Sequence, residues 1–393
     1  MIDFLKEAEK IKDDLINLRR DIHMHPELGL EEERTSKIIK DFLWYEGIET
    51  YPMAKTGVCG IIRGEKGSSK VIGVRADIDA LPIIDKKDCY YKSKNYGLMH
   101  ACGHDAHTTI LLGVARIINK YKSDLDGIIK LVFEPAEETV GGAQMMIKEG
   151  LLENPRVDAF IGLHVTEDVE CGKISIKDGM VNAASNPFTI KLRGKGGHGA
   201  HPSIAIDPIV GAAQIISSLQ SIVSREISPL NSAVITIGNI NGGTAKNVIP
   251  DEIEMGGIIR TLTEEDRHYV IQRVIEVVEA VGRAYRLSVD INIEDGYPCL
   301  YNDEEMVKKL RDVADYVIGS DNIITKKNPS MGVESFAYLS NARPSVYYYL
   351  GTGNPDKKSD MPAHGNYFDI DEDAISIGVA LQCNFIYDYL TRE

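Results

Sequence analysis

The sequence predicts an α/β fold interrupted once by an α+β insertion. Three observations carry this. From residue 71 to residue 164, short apolar runs alternate with segments of helical periodicity. Near residue 184 the order changes to β-α-β-β-α-β, the order of a ferredoxin-like module. After Tyr297-Pro298 the α/β alternation resumes. The chain therefore divides into one discontinuous domain over 1–183 and 296–393, and an inserted domain over 184–295.

The elements follow in order. Phe4, Ala8, Ile11, Leu15 and Leu18 recur at helical spacing and predict a helix over 3–20, with a second over 31–46. Residues 71–76 form an apolar run that reads as a buried strand ending at Asp77 and Asp79. A helix over 107–118 leaves Cys102 and His104 on the loop leading into it. Residues 128–133 and 159–163 read as buried strands, ending at Glu137/Glu138 and at His164. Open α/β sheets gather their chemistry at the carboxyl ends of strands, so these side chains are expected at one site. In the insertion, strands are expected over 187–193, 232–239, 251–261 and 287–293, with helices over 207–223 and 264–284. The glycine-rich stretch 194–199 reads as a loop carrying His198. A helix over 303–317, an apolar run over 345–350 and a helix from residue 371 complete the larger domain.

A chain of 393 residues exceeds one simple core and favours two domains. A net charge of −15 argues against nucleic acid as a partner, because phosphate neutralisation needs a basic face. No signal peptide is evident at the N-terminus, and no apolar run is long enough to span a membrane. The six cysteines lack a framework spacing, which suits reduced thiols and a cytoplasmic setting.

Residues 99–105 read Met-His-Ala-Cys-Gly-His-Asp, and residues 133–139 read Phe-Glu-Pro-Ala-Glu-Glu-Thr. The first segment begins a stretch with a thiol and three imidazoles (His100, His104, His107) within eight positions, and spacing alone does not choose among them. Cys102 and His104, two apart, can reach one ion from a turn at Gly103. Glu138 and His164 at strand ends, and His364 in Pro362-Ala363-His364-Gly365, bring the donors to five. A mixed set with long gaps suits one or two divalent ions at a catalytic site better than a closed structural zinc site. Glu137 is left over beside a donor, where it can act as a general base on water made acidic by an ion.

Each residue also has a plainer reading. A lone Cys-x-His is usually packing and surface, and Glu137 could be a solvated acid. Asp77 and Asp79 could cap a turn rather than hold a ligand imidazole. His198 could be an ordinary loop histidine. Asn247 and Arg260 flank a strand pair, where the guanidinium could bind a carboxylate or make a surface ion pair. His23, His25, His100, His107, His201 and His268 receive no role from spacing.

At these residues a resemblance becomes specific. The chain resembles the M20 metallopeptidase family, in the amidohydrolase branch that holds aminoacylases, hippurate hydrolase and N-acetyl-diaminopimelate deacetylase. The segments that carry it are 18–28 (Leu-Arg-Arg-Asp-Ile-His-Met-His-Pro-Glu-Leu), 75–82 (Arg-Ala-Asp-Ile-Asp-Ala-Leu-Pro), 100–105, 135–138, 194–200, 242–250, and His364 followed by Phe368-Asp369. They run in family order over nearly the whole chain.

The resemblance implies a zinc-peptidase-like catalytic domain holding two divalent ions, with Cys102 as the bridging ligand. His104, Glu138, His164 and His364 match the other ligands, and Glu137 the general base. It implies that the insertion is a lid and dimerisation domain, giving a homodimer or higher homo-oligomer. There His198 stabilises the oxyanion, and Asn247 and Arg260 hold the substrate carboxylate. Zinc fits the thiolate and imidazoles, with manganese, cobalt and nickel as alternatives. The expected reaction is hydrolysis of an N-acetyl or aromatic N-acyl amino acid to the amino acid and a carboxylic acid. Carboxypeptidase or dipeptidase action uses the same chemistry, and an inactive N-acyl amino acid binding protein is a third possibility. At 331–336 the chain reads Met-Gly-Val-Glu-Ser-Phe, where the family usually has Gly-Ser-Glu-Asp-Phe, and Gly365-Asn366 replaces a usual Ser/Asn-Pro. Both departures bear on acyl-group preference.

Overall fold

In this computed structural model, which describes residues 2–391, the chain forms two compact units. One comprises the chain up to Gly179, with Tyr301–Asn328 and the chain from Ser335 onward. The other comprises Met180–Leu300 and Pro329–Glu334. The short segment 329–334 is held there by backbone bonds: Ser330 N–H donates to Val181 O at 2.8 Å, and Ala183 N–H to Ser330 O at 3.0 Å.

The first unit is built on an eight-stranded mixed sheet. Its centre is four parallel strands in the order Asp126–Glu134, Gly67–Asp77, Ala159–Glu170, Ser345–Gly353. Antiparallel Gly57–Arg63 and Glu49–Met53 extend one side, and Ile174–Ile176 and Ile323–Thr325 the other. Strands buried on both faces need helices on both faces. Leu350 and Ile110 of helix His104–Lys120 both pack close against Gly378 of helix Asp373–Thr391. Tyr347, an odd number of positions away and so on the opposite face, stacks on Phe336 of helix Phe336–Ala342 at 5.0 Å between ring centroids.

The second unit has a four-stranded antiparallel sheet in the order Ala233–Asn241, Glu252–Thr261, Ala184–Arg193, Ser288–Ile293. With helices Pro208–Ser221 and Glu264–Ala284 in sequence, this is the ferredoxin-like order. Its core joins Ile190, Leu192 and Met255 to Ile215, Leu219, Val270 and Val274. Capping sets the helix starts. The Asp207 carboxylate accepts from Ile209 N–H at 2.9 Å ahead of Pro208, and the Thr263 hydroxyl accepts from Asp266 N–H at 3.1 Å.

Four sequence expectations are corrected. The predicted helix over 3–20 is two helices, Phe4–Lys10 and Lys12–Met24, because Ile11 leaves helical geometry at φ −110°, ψ 5°. His104 is not on a loop but opens helix His104–Lys120, since Gly103, at φ 91°, supplies the turn one residue earlier. His164 does not end its strand, which runs on to Glu170 because Ser345–Gly353 continues to pair with it. His164 is nonetheless past the last residue, Gly162, that pairs with Gly67–Asp77. His198 lies in a two-residue strand opposite Val248 rather than in an open loop.

Several carboxylates tie the first unit together and titrate low. Burial works to raise the Asp85 carboxyl, but His23 and the backbone N–H groups of Ser93 and Lys87 hold it at about 2. Bonds from Lys12 and Lys357 hold Asp373 at about 2, against an ordinary value of 3.8. Both values are depressed, so the stability they contribute is present above pH 4 and is lost as pH falls toward 2. The urea midpoint of metal-free protein is therefore expected to hold from pH 6 to pH 4 and to fall between pH 4 and pH 2. A midpoint that stays level down to pH 2.5 would contradict this assignment.

Candidate metal centre

Four segments meet at the carboxyl end of the parallel strands. Gly67–Asp77 delivers Asp77 and, just beyond it, Asp79. Asp126–Glu134 runs through Pro135 and Ala136 (φ 54°) to Glu137 and Glu138. Ala159–Glu170 presents His164, and the loop at 362–366 presents His364. Between them lies the turn of Cys102 and Gly103, where a side chain on Gly103 would meet Val165 Cγ2 at 2.3 Å. Only glycine allows this turn to approach the strand so closely.

Cys102 Sγ lies 3.3 Å from His164 Nε2 and 3.4 Å from His364 Nε2. Glu138 Oε1 is 3.2 Å from His364 Nε2 and 3.9 Å from His104 Nε2. Two three-donor groups result, Cys102/His104/His164 and Cys102/Glu138/His364, each with donor atoms within 4.8 Å of one another. They share the Cys102 thiol. Donors around a tetrahedral zinc ion are separated by roughly 3.5 Å, given bonds of 2.0–2.3 Å, and the observed spacings fall around that value. A further group joins His104, Glu137 and Glu138.

The hydrogen bonds orient these donors inward. His104 Nδ1 is 3.0 Å from Asp79 O and 3.1 Å from Asp79 Oδ1, which places its proton there. His104 Nε2 is then buried with no hydrogen-bond partner among the described residues, and beside it Glu138 Oε1 faces the His364 ring at 3.2 Å. A buried ring nitrogen without a hydrogen bond is costly, and a cation between it and the carboxylate accommodates both. His164 Nδ1 donates to Val165 O at 2.5 Å, so its Nε2 is the donor turned to Cys102. Asp79 also accepts from Glu138 N–H at 3.0 Å and thus holds two of the converging residues.

His107 could be grouped with Asp77 and His104 by distance. Its ring is already used, however: Val165 N–H donates to Nε2 at 2.9 Å, and Nδ1 donates to Asp77 Oδ1 at 2.6 Å. His100 is fully buried and burial pushes its imidazole down to about 3. His107 thus supports the site rather than joining its donor set, and His100 belongs to none of the donor groups.

The electrostatics match a site that exchanges protons for a cation. Burial pushes the Cys102 thiol well above the usual thiol range. Burial works to raise the Glu138 carboxyl, but His364 and His104 hold it at about 2. In return the Glu138 carboxylate raises the imidazole of His364. Burial would lower His104, yet Asp77 and Cys102 hold it well above its usual value. A divalent ion replaces the protons that bind these groups together. Both the chemistry of the donor set and the orphaned ring nitrogen of His104 fit two divalent ions.

Glu137 is buried, and Ser335 N–H donates to its Oε1 at 2.9 Å. The Ser335 hydroxyl bonds Glu134 Oε1 and accepts from Arg75 Nη2 at 3.0 Å. Arg75 Nε in turn donates to Glu134 Oε2 at 2.6 Å, and Nη1 forms an ion pair with Asp77 Oδ2 at 2.7 Å. Sequence reading missed Arg75, Glu134 and the supporting role of Ser335. The signal was present in part: Arg75 is the one charge in the apolar run 71–76.

The structure thus brings together Cys102, His104, Glu137, Glu138, His164 and His364, with Asp77 and Asp79 behind them. His198, Asn247 and Arg260 belong to the second unit. There Ala200 N–H donates to His198 Nδ1 at 3.1 Å, Gly199 N–H donates to Asn247 O at 2.8 Å, and Arg260 Nη1 donates to Met331 O at 3.2 Å. No described helix is long and apolar enough to cross a membrane.

Comparison with known proteins gives a consistent result. The profile of peptidase family M20/M25/M40 matches residues 73–388. The chain is 42% identical over 362 residues to N-acetyl-L-cysteine deacetylase of Bacillus subtilis, covering 92% of this chain and 84% of that one. It is 38% identical over 381 residues to IAA-amino acid hydrolase ILR1-like 4 of Arabidopsis thaliana, covering 96% and 86%. A dinuclear metal-binding peptidase of the M20 family from Bacillus subtilis has a solved structure that superposes with a TM-score of 0.84 at 33% identity, covering 97% of this chain and 99% of that one. The chain belongs to peptidase family M20/M25/M40, in its amidohydrolase branch.

Proposed function

We propose that this amidohydrolase cleaves N-acyl amino acids to the free amino acid and a carboxylic acid, with two divalent ions held by Cys102, His104, Glu138, His164 and His364. The observation that carries this reading is the pair of three-donor groups sharing one thiol, with Glu137 beside them and outside both. Bound there, divalent ions polarise an amide carbonyl and bring the pKa of water to about 7.

The chain's own residues do the rest. Glu137, its Oε1 held by Ser335 N–H, takes a proton from the attacking water and delivers it to the departing amine nitrogen. Cys102, as a thiolate, would help to hold both ions, and Asp79 keeps the His104 ring turned inward. Asp77 does the same for the His107 ring that supports the strand carrying His164. In the second unit, His198 stabilises the oxyanion, while Asn247 and Arg260 hold the carboxylate of the amino acid. That unit acts as a lid and a dimerisation surface, and the protein works as a homodimer or higher homo-oligomer. Zinc is the favoured ion on donor chemistry, with manganese, cobalt and nickel as candidates. A thiolate ligand, with no disulfide formed among the described residues, suits a reducing cytoplasm.

Three outcomes test this. In a hydrolysis screen run with each metal, N-acetyl and indole-acetyl amino acids should be cleaved. Activity on dipeptides alone would replace the reading with a peptidase, and tight binding without turnover would replace it with a binding protein. Glu137→Gln should keep its zinc content while kcat falls about 10²–10⁴-fold, and near-wild-type turnover would remove Glu137 as the base. Chelation should abolish activity, reversibly on adding zinc, with the far-UV circular dichroism kept. Loss of secondary structure on chelation would point instead to a structural metal.

A further inference from the structure

The segment 18–28 drew attention in the sequence, yet none of its residues reaches the ions' donor set. Its structure shows where its charges go. Arg19 is fully buried, and Nε lies 2.8 Å from Asp105 Oδ2 while Nη2 lies 2.8 Å from Asp369 Oδ1. His23, one turn on, places Nδ1 at 2.7 Å from the same Asp105 oxygen. Its Nε2 lies 2.8 Å from Lys87 Nζ. Lys87 Nζ is also 3.3 Å from Asp369 Oδ2, and the Tyr91 hydroxyl donates to that oxygen at 2.8 Å. Arg19, Asp105, His23, Lys87 and Asp369 therefore form a closed, buried ring of alternating partners.

The two carboxylates in this ring have meaningful positions. Asp105 directly follows His104 at the start of its helix. Asp369 lies five residues past His364. His364 needs outside support more than the other donors do. Its side chain is 53% exposed, so packing does not fix it, and its backbone sits at φ 61° without being glycine. Beyond the ring, its loop is tied by His364 N–H to Ala101 O at 2.8 Å and by Lys86 N–H to Asn366 O at 2.9 Å. Asn366 Nδ2 returns a bond to Ile84 O at 2.9 Å. The strap at 84–91 and the helix Lys12–Met24 thus hold the His364 loop from two sides.

We propose that Arg19 and His23 are positioning residues that lock the His104 turn to the His364 loop, so that the ion at Cys102/Glu138/His364 is held through a ring of side chains that never touch it. A guanidinium is the group for this task, because its rigid fork reaches two carboxylates at once. Lysine keeps the charge but offers no fork.

The proposal rests on the two-ion reading above, and the test separates the two. Zinc stoichiometry and affinity are measured by competition with a chromophoric chelator on wild type, Arg19→Lys and Asp369→Asn. Glu46→Gln, which removes a partner of Arg116 at 2.7 Å away from the donors, controls for stability alone. The expected result is one ion bound as in wild type and the other weakened tenfold or more in Arg19→Lys and Asp369→Asn, with both retained in Glu46→Gln. Asp369→Asn preserves volume and a hydrogen-bond acceptor, so it remains informative if Arg19→Lys fails to fold. Wild-type affinity for every ion in a folded Asp369→Asn protein, with only its melting temperature lowered, would overturn the proposal. A wild type that takes up fewer than two zinc ions would sink the two-ion reading, and weakened binding of its single ion in Asp369→Asn would still support the clamp.

Discussion

The thiol of Cys102 is buried between two imidazole nitrogens at 3.3 Å and 3.4 Å, and the surrounding structure is arranged to hold it there. A buried thiol flanked in this way gains little from its neighbours while it stays protonated. As a thiolate facing two divalent ions it would become the shared donor of both groups. The close approach of the turn to Val165 requires Gly103, and Gly103 in turn starts the helix at His104. The position of the thiol and the position of His104 are therefore one decision of the backbone.

The parallel sheet explains why distant residues meet at this thiol. Strands Asp126–Glu134, Gly67–Asp77 and Ala159–Glu170 point the same way, so the carboxyl ends of the first two deliver Glu137/Glu138 and Asp77/Asp79 to the level where the third, past its last pairing with Gly67–Asp77, presents His164. Charges at these ends are neutralised in pairs rather than left to solvent. Arg75 is shared by Asp77, Glu134 and Ser335, and Arg19 by Asp105 and Asp369. Buried guanidinium–carboxylate networks of this kind contribute little net stability but impose one geometry, which a metal centre requires.

Much of this was legible in the sequence, and the reasons for the rest are physical. Residue type brings Cys102, His104, Glu138 and His364 forward as candidate donors, and it is the family resemblance that selects Cys102 and His104 over His100 and His107. The β-α-β-β-α-β order of the insertion is carried by periodicity alone. His164 was found for an inexact reason: its strand continues to Glu170, and it is the end of the neighbouring strand that exposes it. The choice against His107 depends on Val165 N–H and Asp77 occupying both ring nitrogens, which no spacing reveals. The Arg19 ring joins residues 350 positions apart in the chain, so its logic exists only after folding. Ser335 reads as a departure from a family pattern, whereas in the structure its backbone N–H is what holds Glu137.

The central claim is that one thiol serves two ions. A crystal of the zinc-loaded protein, measured on both sides of the zinc absorption edge, tests it directly. The account predicts two anomalous peaks, each about 2.3 Å from Cys102 Sγ, one beside His104 and His164 and the other beside Glu138 and His364. A single peak, or two peaks with Cys102 bound to only one of them, would contradict it.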